Sequence, residues 1–457
     1  MRGFFKNTRN WGKNFKPFKE RIHYLICYII YFIFSILTFL FKIYSFSLVN
    51  FSILILFLIK REYKKIWILI IISCFSFLKI YMDEQILENE EIDISNIKFT
   101  KVAKNNYIFL INGKNVLIQN YNIEENYSYI LKGKISKIEY KNYKLSWYLF
   151  LKSKNIVYEM KSIEFINKFS RIDNILFRIK NFISSGKENY KKIIPLLLIS
   201  ENNYDQSSVV EKLKSISIYH LFVISGFHIT LISKLLKKIL TFIKLDFFYS
   251  LFIWILFVLF YLLILNFAIS ALRAFIFLLF LEINGKLLKN KFSKIEILLF
   301  TALLFIFVNF YIIFSFSFIL TFLITLNILY ILEFNIKSKL LNTFFISFTS
   351  SFLSYFILNL TKKYDYNVLS TFNSIIFSWI VSLFYAISIF LIFWKDFLNY
   401  LSWLFLKLID YYINFQVFLK INLDFLFFLN IIFIYFVSLE SIRIKIFNNY
   451  KIFTYKE

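Results

Sequence analysis

A serine, a glycine and two histidines interrupt the apolar run Tyr219 to Leu236, YHLFVISGFHITLISKLL, which is long enough to cross a bilayer core. His220 and His228 are two of the three histidines in the chain. A polar side chain in hydrocarbon costs several kcal/mol unless it finds a partner or water, so these residues point to a bundle interior or a cavity. On a helix Ser225 and His228 are three apart and share a face, while His220 lies two turns away and about 80° round. Gly226 beside them lets a second backbone come close or lets the helix break. A serine beside a histidine suggests a membrane hydrolase, but no acid is placed to orient the imidazole, and a polar helix seam explains the pair better. The two histidines stand about 12 Å apart along a straight helix, too far to share a metal ion. No phosphate-binding glycine loop for ATP is present. Hydrogen bonds that only hold the bundle together remain the simplest alternative.

HLFVISGFH resembles the signature of the ComEC family of competence proteins, polytopic channels that pass incoming single-stranded DNA through the bacterial membrane. The matching residues are His220, Leu221, Ile224, Ser225, Gly226 and His228. Further marks follow in the family's order. Ser270, Arg273 and Ala274 in SALRA resemble its SxxRA segment, and Ser317 to Phe322, SFILTF, resemble its SFxLSF segment, with Ser317, Phe318 and Phe322 as helix-packing positions. Asn373 precedes the apolar IIFSWI as the family's asparagine does, and SWYLFLKSKNI upstream resembles the end of its extracellular domain. Departures fall at Ser200 and Ser217, where the family has glycines, at the methionine after the RA pair and at the proline after the asparagine. The resemblance runs from about Tyr24 to Leu439, and nothing here resembles the metallo-β-lactamase-like domain into which many members continue. It implies a transport path past His220, Ser225, Gly226, His228, Arg273 and Asn373, with no catalytic residues, metal or cofactor of its own. It also implies partners: single-stranded DNA, a DNA receptor, a cytoplasmic helicase or single-strand-binding protein, a separate nuclease, and a second copy of the chain in a homodimer.

Composition bounds the class independently. At 457 residues with 59% hydrophobic content, seven glycines and two prolines, the chain is too apolar for a soluble domain of its size. Cys27 and Cys74 both fall in apolar segments, which argues against an extracellular disulfide or a metal site. The formal net charge of +26 suits nucleic acid, anionic lipid or cytoplasmic loops. Part of the lysine excess reflects a codon bias toward A and T, because Phe, Ile, Asn and Tyr are enriched with it. Residues 1–22 carry seven basic groups against Glu20, which places the N-terminus inside, and the apolar run after it has no evident cleavage site, so it reads as a retained anchor.

The fold class expected is a polytopic α-helical membrane protein of about twelve spans or interfacial helices, with an inserted small extracytoplasmic β-barrel that is OB-like. The expected divisions are a basic cytoplasmic segment 1–22, N-terminal transmembrane helices 23–81, the β domain 82–169, amphipathic interfacial helices 170–218, a competence-type core 219–439 and a basic cytoplasmic tail 440–457. Spans are expected near 24–44, 46–59, 66–80, 219–236, 247–265, 267–282, 295–311, 312–332, 342–360, 372–394, 397–412 and 422–438, the segment with Lys407 and Asp410 being the weakest. Within the β domain, YIFLINGKNVLIQ sets Asn112 and Gly113 between two apolar runs, as in a type I′ hairpin, and YSYILKGKISKIEY and WYLFLKSKNIVYEM read as further strands. Such a set suits a small Greek-key barrel. From Lys98 to Lys168 thirteen lysines face five acids, 13 − 5 = +8, a surface able to track phosphates; a plainly solvated domain is the alternative. Pro195 is expected to start the apolar run PLLLI, and Val209 to Ile218 to lie along the interface.

This topology puts His220, His228 and Arg273 in the outer half of the bilayer, where they can meet. A guanidinium there faces water, a phosphate whose oxygens match its fork, or helix-end carbonyls. The function expected is a membrane channel conducting single-stranded DNA into the cytoplasm, with a transporter or flippase for an anionic lipid or glycan as the alternative and a hydrolase using Ser225 and His228 third.

Overall fold

A computed structural model of the protein describes residues 26, 28–29, 31, 91–98, 100–103, 106–111, 114–119, 121, 123, 127–138, 145–154, 156–170, 175–200, 207–222, 226–334, 338–359, 366–419, 435 and 438–439, and the structural statements below concern these residues. They belong to two compact units, one reaching Ile172 and taking in Ile295–Ser315, the other made of Asp173–Lys294 and the chain from Phe316.

Alternating apolar and charged residues build the first unit's sheet. The strands are β1 (Glu91–Lys98), β2 (Thr100–Ala103), β3 (Asn106–Ile111), β4 (Lys114–Gln119), β5 (Tyr127–Lys137) and β6 (Ile156–Ser170). Their order across the sheet is β1-β5-β6-β4-β3-β2, antiparallel except for the parallel β4–β6 pair. β3 and β4 pair as the expected hairpin does, with Ile111 opposite Lys114, while Asn112 and Gly113 of its turn lie outside the described residues. Along β5, Tyr129, Leu131 and Ile135 are buried while Lys132 and Lys134 are exposed, the two-residue period of a strand with one wet face. Among the described residues the outermost strands of this mixed sheet, β1 and β2, do not pair with each other.

One strand expected here is half helix. WYLFLKS lies in α1 (Leu145–Ser153), and the chain extends only from Ile156. The cause is a second apolar face. β4 is buried on both sides: Val116 and Ile118 join the main core, while Leu117 packs with Ile138, Leu151 and Ile156 under Trp147 and Phe150 of α1. Residues 147, 150 and 151 share one face at helical spacing, and burying them over β4 overrides the strand propensity of the aromatics.

The helices that follow are α2 (Ile175–Ser184), α3 (Glu188–Ile199), α4 (Ser207–Ser215), α5 (Tyr219–Phe222), α6 (Gly226–Phe242), α7 (Phe247–Ile264), α8 (Ile269–Lys286), α9 (Lys294–Val308), α10 (Phe316–Glu333), α11 (Lys339–Asn359), α12 (Ser370–Phe390) and α13 (Lys395–Ile413). A 3₁₀ turn, Phe310–Phe314, follows α9 in the first unit, and Asn309 fixes it by accepting from the Tyr311 amide at 3.1 Å and donating to the Ser153 carbonyl at 3.1 Å. Among the described residues three stretches are long and apolar enough to cross a membrane: Tyr219–Phe242, which runs across residues outside the described set, Phe247–Ile264 and Ser370–Phe390. The spans expected at 24–44, 46–59, 66–80 and 422–438 fall largely or wholly outside the described residues. The remaining expected spans coincide with helices, although α8 carries Arg273, Glu282 and Lys286, and α13 carries Lys395, Asp396, Lys407 and Asp410.

Pro195 does not start a run; it sits inside α3. An interior proline costs about 3 kcal/mol, but Ile193, Ile194, Leu196 and Leu197 around it are at most 1% exposed, and each such side chain returns about 1.5–3 kcal/mol on burial. α3 therefore contributes to the core, packed against α12 and α13. α13 meets it with Leu398, Ser402, Phe405 and Ile409, a stripe of period three to four, and keeps its charges off that stripe.

Candidate functional site

α6 and α8 lie side by side and run the same way. Gly226 meets Arg273 near their N-termini, and eleven residues along α6 Lys237 pairs with Glu282, nine residues along α8. Lys237 Nζ also stands 4.4 Å from the centre of the Trp254 ring of α7, which ties three helices at that end.

Arg273 is buried, at 6% exposure. Its Nη1 donates to the Thr321 carbonyl of α10 at 2.7 Å and to Thr325 Oγ1. Thr325 Oγ1 spends its own proton on the same carbonyl at 2.7 Å, which leaves a lone pair for the arginine. The guanidinium carbon lies 5.4 Å from the centre of the Phe322 ring, and Phe322 packs on Phe318 at 4.5 Å between centroids. On the opposite side a Cβ added at Gly226 would lie 2.8 Å from Nη2 and 3.3 Å from the Ala274 Cβ. HLFVISGFH, SALRA and SFILTF thus converge on one guanidinium. Ser317 is exposed, and its carbonyl accepts from Thr321 Oγ1.

The histidines part company. His228 is fully buried against Tyr385 of α12, ring centres 4.4 Å apart and edge to face. Tyr385 Oη lies 3.0 Å from Tyr261 Oη, which in turn donates to the Leu198 carbonyl at 2.8 Å. That carbonyl belongs to the last turn of α3, where no intrahelical donor remains for it. Since the Tyr261 proton is used there, Tyr385 is the donor to Tyr261. His220, in α5, keeps part of its surface exposed although the surrounding protein desolvates its ring, and it hydrogen-bonds the Ser217 backbone. Ser225 lies outside the described residues, so its pairing with His228 has no described geometry.

Asn373 is buried at a third place. Its Nδ2 donates to the Ile216 carbonyl at 2.9 Å and to Gln416 Oε1 at 2.7 Å, and its Oδ1 accepts from Tyr412 Oη at 2.9 Å. Asn367 repeats the pattern, donating to the Ser215 carbonyl at 2.9 Å and to Gln416 Oε1 at 2.8 Å. Ser217 has φ 61°, the Ile218 amide bonds Leu213 O, and the Ser217 amide bonds Lys214 O, so α4 ends in a Schellman turn. The carbonyls of 215 and 216 beyond it are those that the two asparagines satisfy.

The residues expected to share one vestibule are distributed over separate polar constellations, of which Arg273 with Gly226 is the one that unites motif segments. Sequence reasoning missed Thr325, Tyr261, Tyr385, Asn367, Tyr412 and Gln416. With 31 tyrosines in the chain no single one stands out, while the pairing of Thr325 with Thr321 in the SFILTF segment, one turn apart on α10, was the available signal. Among the described residues no three metal-ligating side chains cluster.

Membrane-length apolar helices, buried polar seams and a separate small sheet define a helical membrane protein. A family model described as Competence protein matches residues 197–442, more than half of the 457 residues and all three constellations. The chain belongs to that family, the ComEC-type competence proteins, and its role is in DNA uptake during competence. Neither a curated protein nor a solved structure matches it.

Proposed function

We propose that the chain is a membrane channel conducting single-stranded DNA into the cytoplasm, as a multi-pass protein of the bacterial plasma membrane with both termini inside. The observation that carries this reading is the family match from 197 to 442, which spans every polar constellation of the helical core. Strand threading needs no covalent step: cations neutralise phosphates and aromatics offer sequence-tolerant contacts to bases. Of the residues expected on the path, His220 is exposed whereas His228, Arg273 and Asn373 are buried, so the strand passes His220 and the other three hold the wall. The sheet offers a second contact of the same chemistry. Lys132 and Lys134 are exposed on β5, Lys168 Nζ stands 4.6 Å from the Tyr127 ring centre, and Phe165 packs edge-on to Tyr121 and Tyr129. An OB-like role for this domain rests on that basic and aromatic surface rather than on barrel closure. The driving force and the removal of the second strand fall to a cytoplasmic helicase or single-strand-binding protein and to a nuclease.

A photoreactive residue placed at 220, with one at the buried position 254 as control, tests the path in intact cells given labelled DNA. The expected result is a DNA adduct at 220, absent at 254 and formed only while uptake proceeds. An adduct to lipid or glycan and none to DNA would favour the flippase reading.

A further inference from the structure

We infer that Arg273 is a positioning residue: its guanidinium clamps α6, α8 and α10 from within, and Gly226 is the space it fills. Nη2 is the far end of a long, flexible side chain, and such a tip ordinarily swings aside from a new methyl group at little cost. Here Nη1 is tied to both the Thr321 carbonyl and the Thr325 hydroxyl, and the Phe322 ring lies beside the group. The tip cannot yield without disturbing those bonds in a buried site, where an orphaned donor is costly. Nε is buried with no hydrogen-bond partner among the described residues, so among them the guanidinium is held through Nη1 on α10. Reaching a polyanion would require the buried guanidinium to leave both of these anchors. The clamp stands apart from what crosses the membrane; only its consequence, that helix spacing governs strand passage, rests on the channel reading.

The test is a double-mutant cycle on the full-length protein in detergent, read as melting temperature, alongside DNA import in cells. Gly226→Ala is expected to lower the melting temperature roughly twofold or more further in the Arg273 protein than in the Arg273→Gln protein, where Nη2 is gone. Arg273→Lys, whose ammonium still donates to Thr321 O and Thr325 Oγ1, is expected to recover part of the stability and import lost in Arg273→Gln. Should Arg273→Gln fail to accumulate, Thr325→Ala removes one anchor and is expected to shrink the Gly226→Ala effect. Equal effects of Gly226→Ala in all backgrounds would overturn the clamp. So would an Arg273→Gln protein of wild-type melting temperature that imports no DNA, since that places the guanidinium on the strand. Coupling in stability with import unaffected by every variant supports the clamp and overturns only the consequence that helix spacing governs strand passage.

Discussion

Ser200 and Ser217 both sit in the left-handed region, at φ 52° and 61°, at the two positions where the family resemblance calls for glycine. An L-residue there suffers Cβ crowding worth about 1–2 kcal/mol that glycine avoids. At 217 the reason for the conformation is visible in the Schellman turn that ends α4. What the backbone requires is the angle, not the hydroxyl. Ser217→Gly is therefore expected to raise stability by roughly 0.5–1 kcal/mol, measured by thermal unfolding in detergent, after allowing for glycine's greater freedom when unfolded. A loss of stability would show that the serine side chain matters more than its φ. These departures from the motif were legible as departures in the sequence, but only the dihedral angles show that the chain keeps the glycine geometry.

At the scale of elements, the helices were readable because each is a long apolar run bounded by polar residues, and the Asn112-Gly113 hairpin because its turn chemistry is local. What was hidden is which element each polar residue serves. Asn373 read as a path residue from its place before IIFSWI; in the structure it also caps the end of α4 and holds Tyr412 and Gln416 of the α13 end. Its removal orphans one backbone carbonyl and one tyrosine hydroxyl in a buried site, and leaves Gln416 Oε1 with its bond from Asn367 alone. Asn373→Ala is expected to cost about 1–3 kcal/mol of stability, read as a fall in melting temperature, with import declining only in step with protein level. Import lost at normal stability would return Asn373 to the path. α1 and Pro195 misled for a related reason: WYLFLKS is strand-like and Pro195 helix-breaking by local rule, and the burial of Leu151 under one face of β4 and of Leu196 and Leu197 in the helical core decides otherwise.

On the scale of the whole molecule, two properties pull in one direction. A helical core in which Arg273, Tyr261 and Asn373 are hydrogen-bonded across helices gives a wall, and a net charge of +26 attracts polyanions over distances set by the ionic strength. Composition made the membrane class legible, and the ordered motifs made the family legible, because both are properties of the sequence alone. The separation of His220, Arg273 and Asn373 into different environments was not, because the helical repeat fixes faces but not neighbours. The clearest measurement is internalisation of end-labelled DNA by cells that lack the gene, carry the wild-type gene, or carry a His220→Ala version present at equal level in the membrane. Import abolished by the deletion, restored by the wild type and reduced by His220→Ala is the predicted result. Import undiminished in the deletion strain would contradict a role for this chain in conducting DNA.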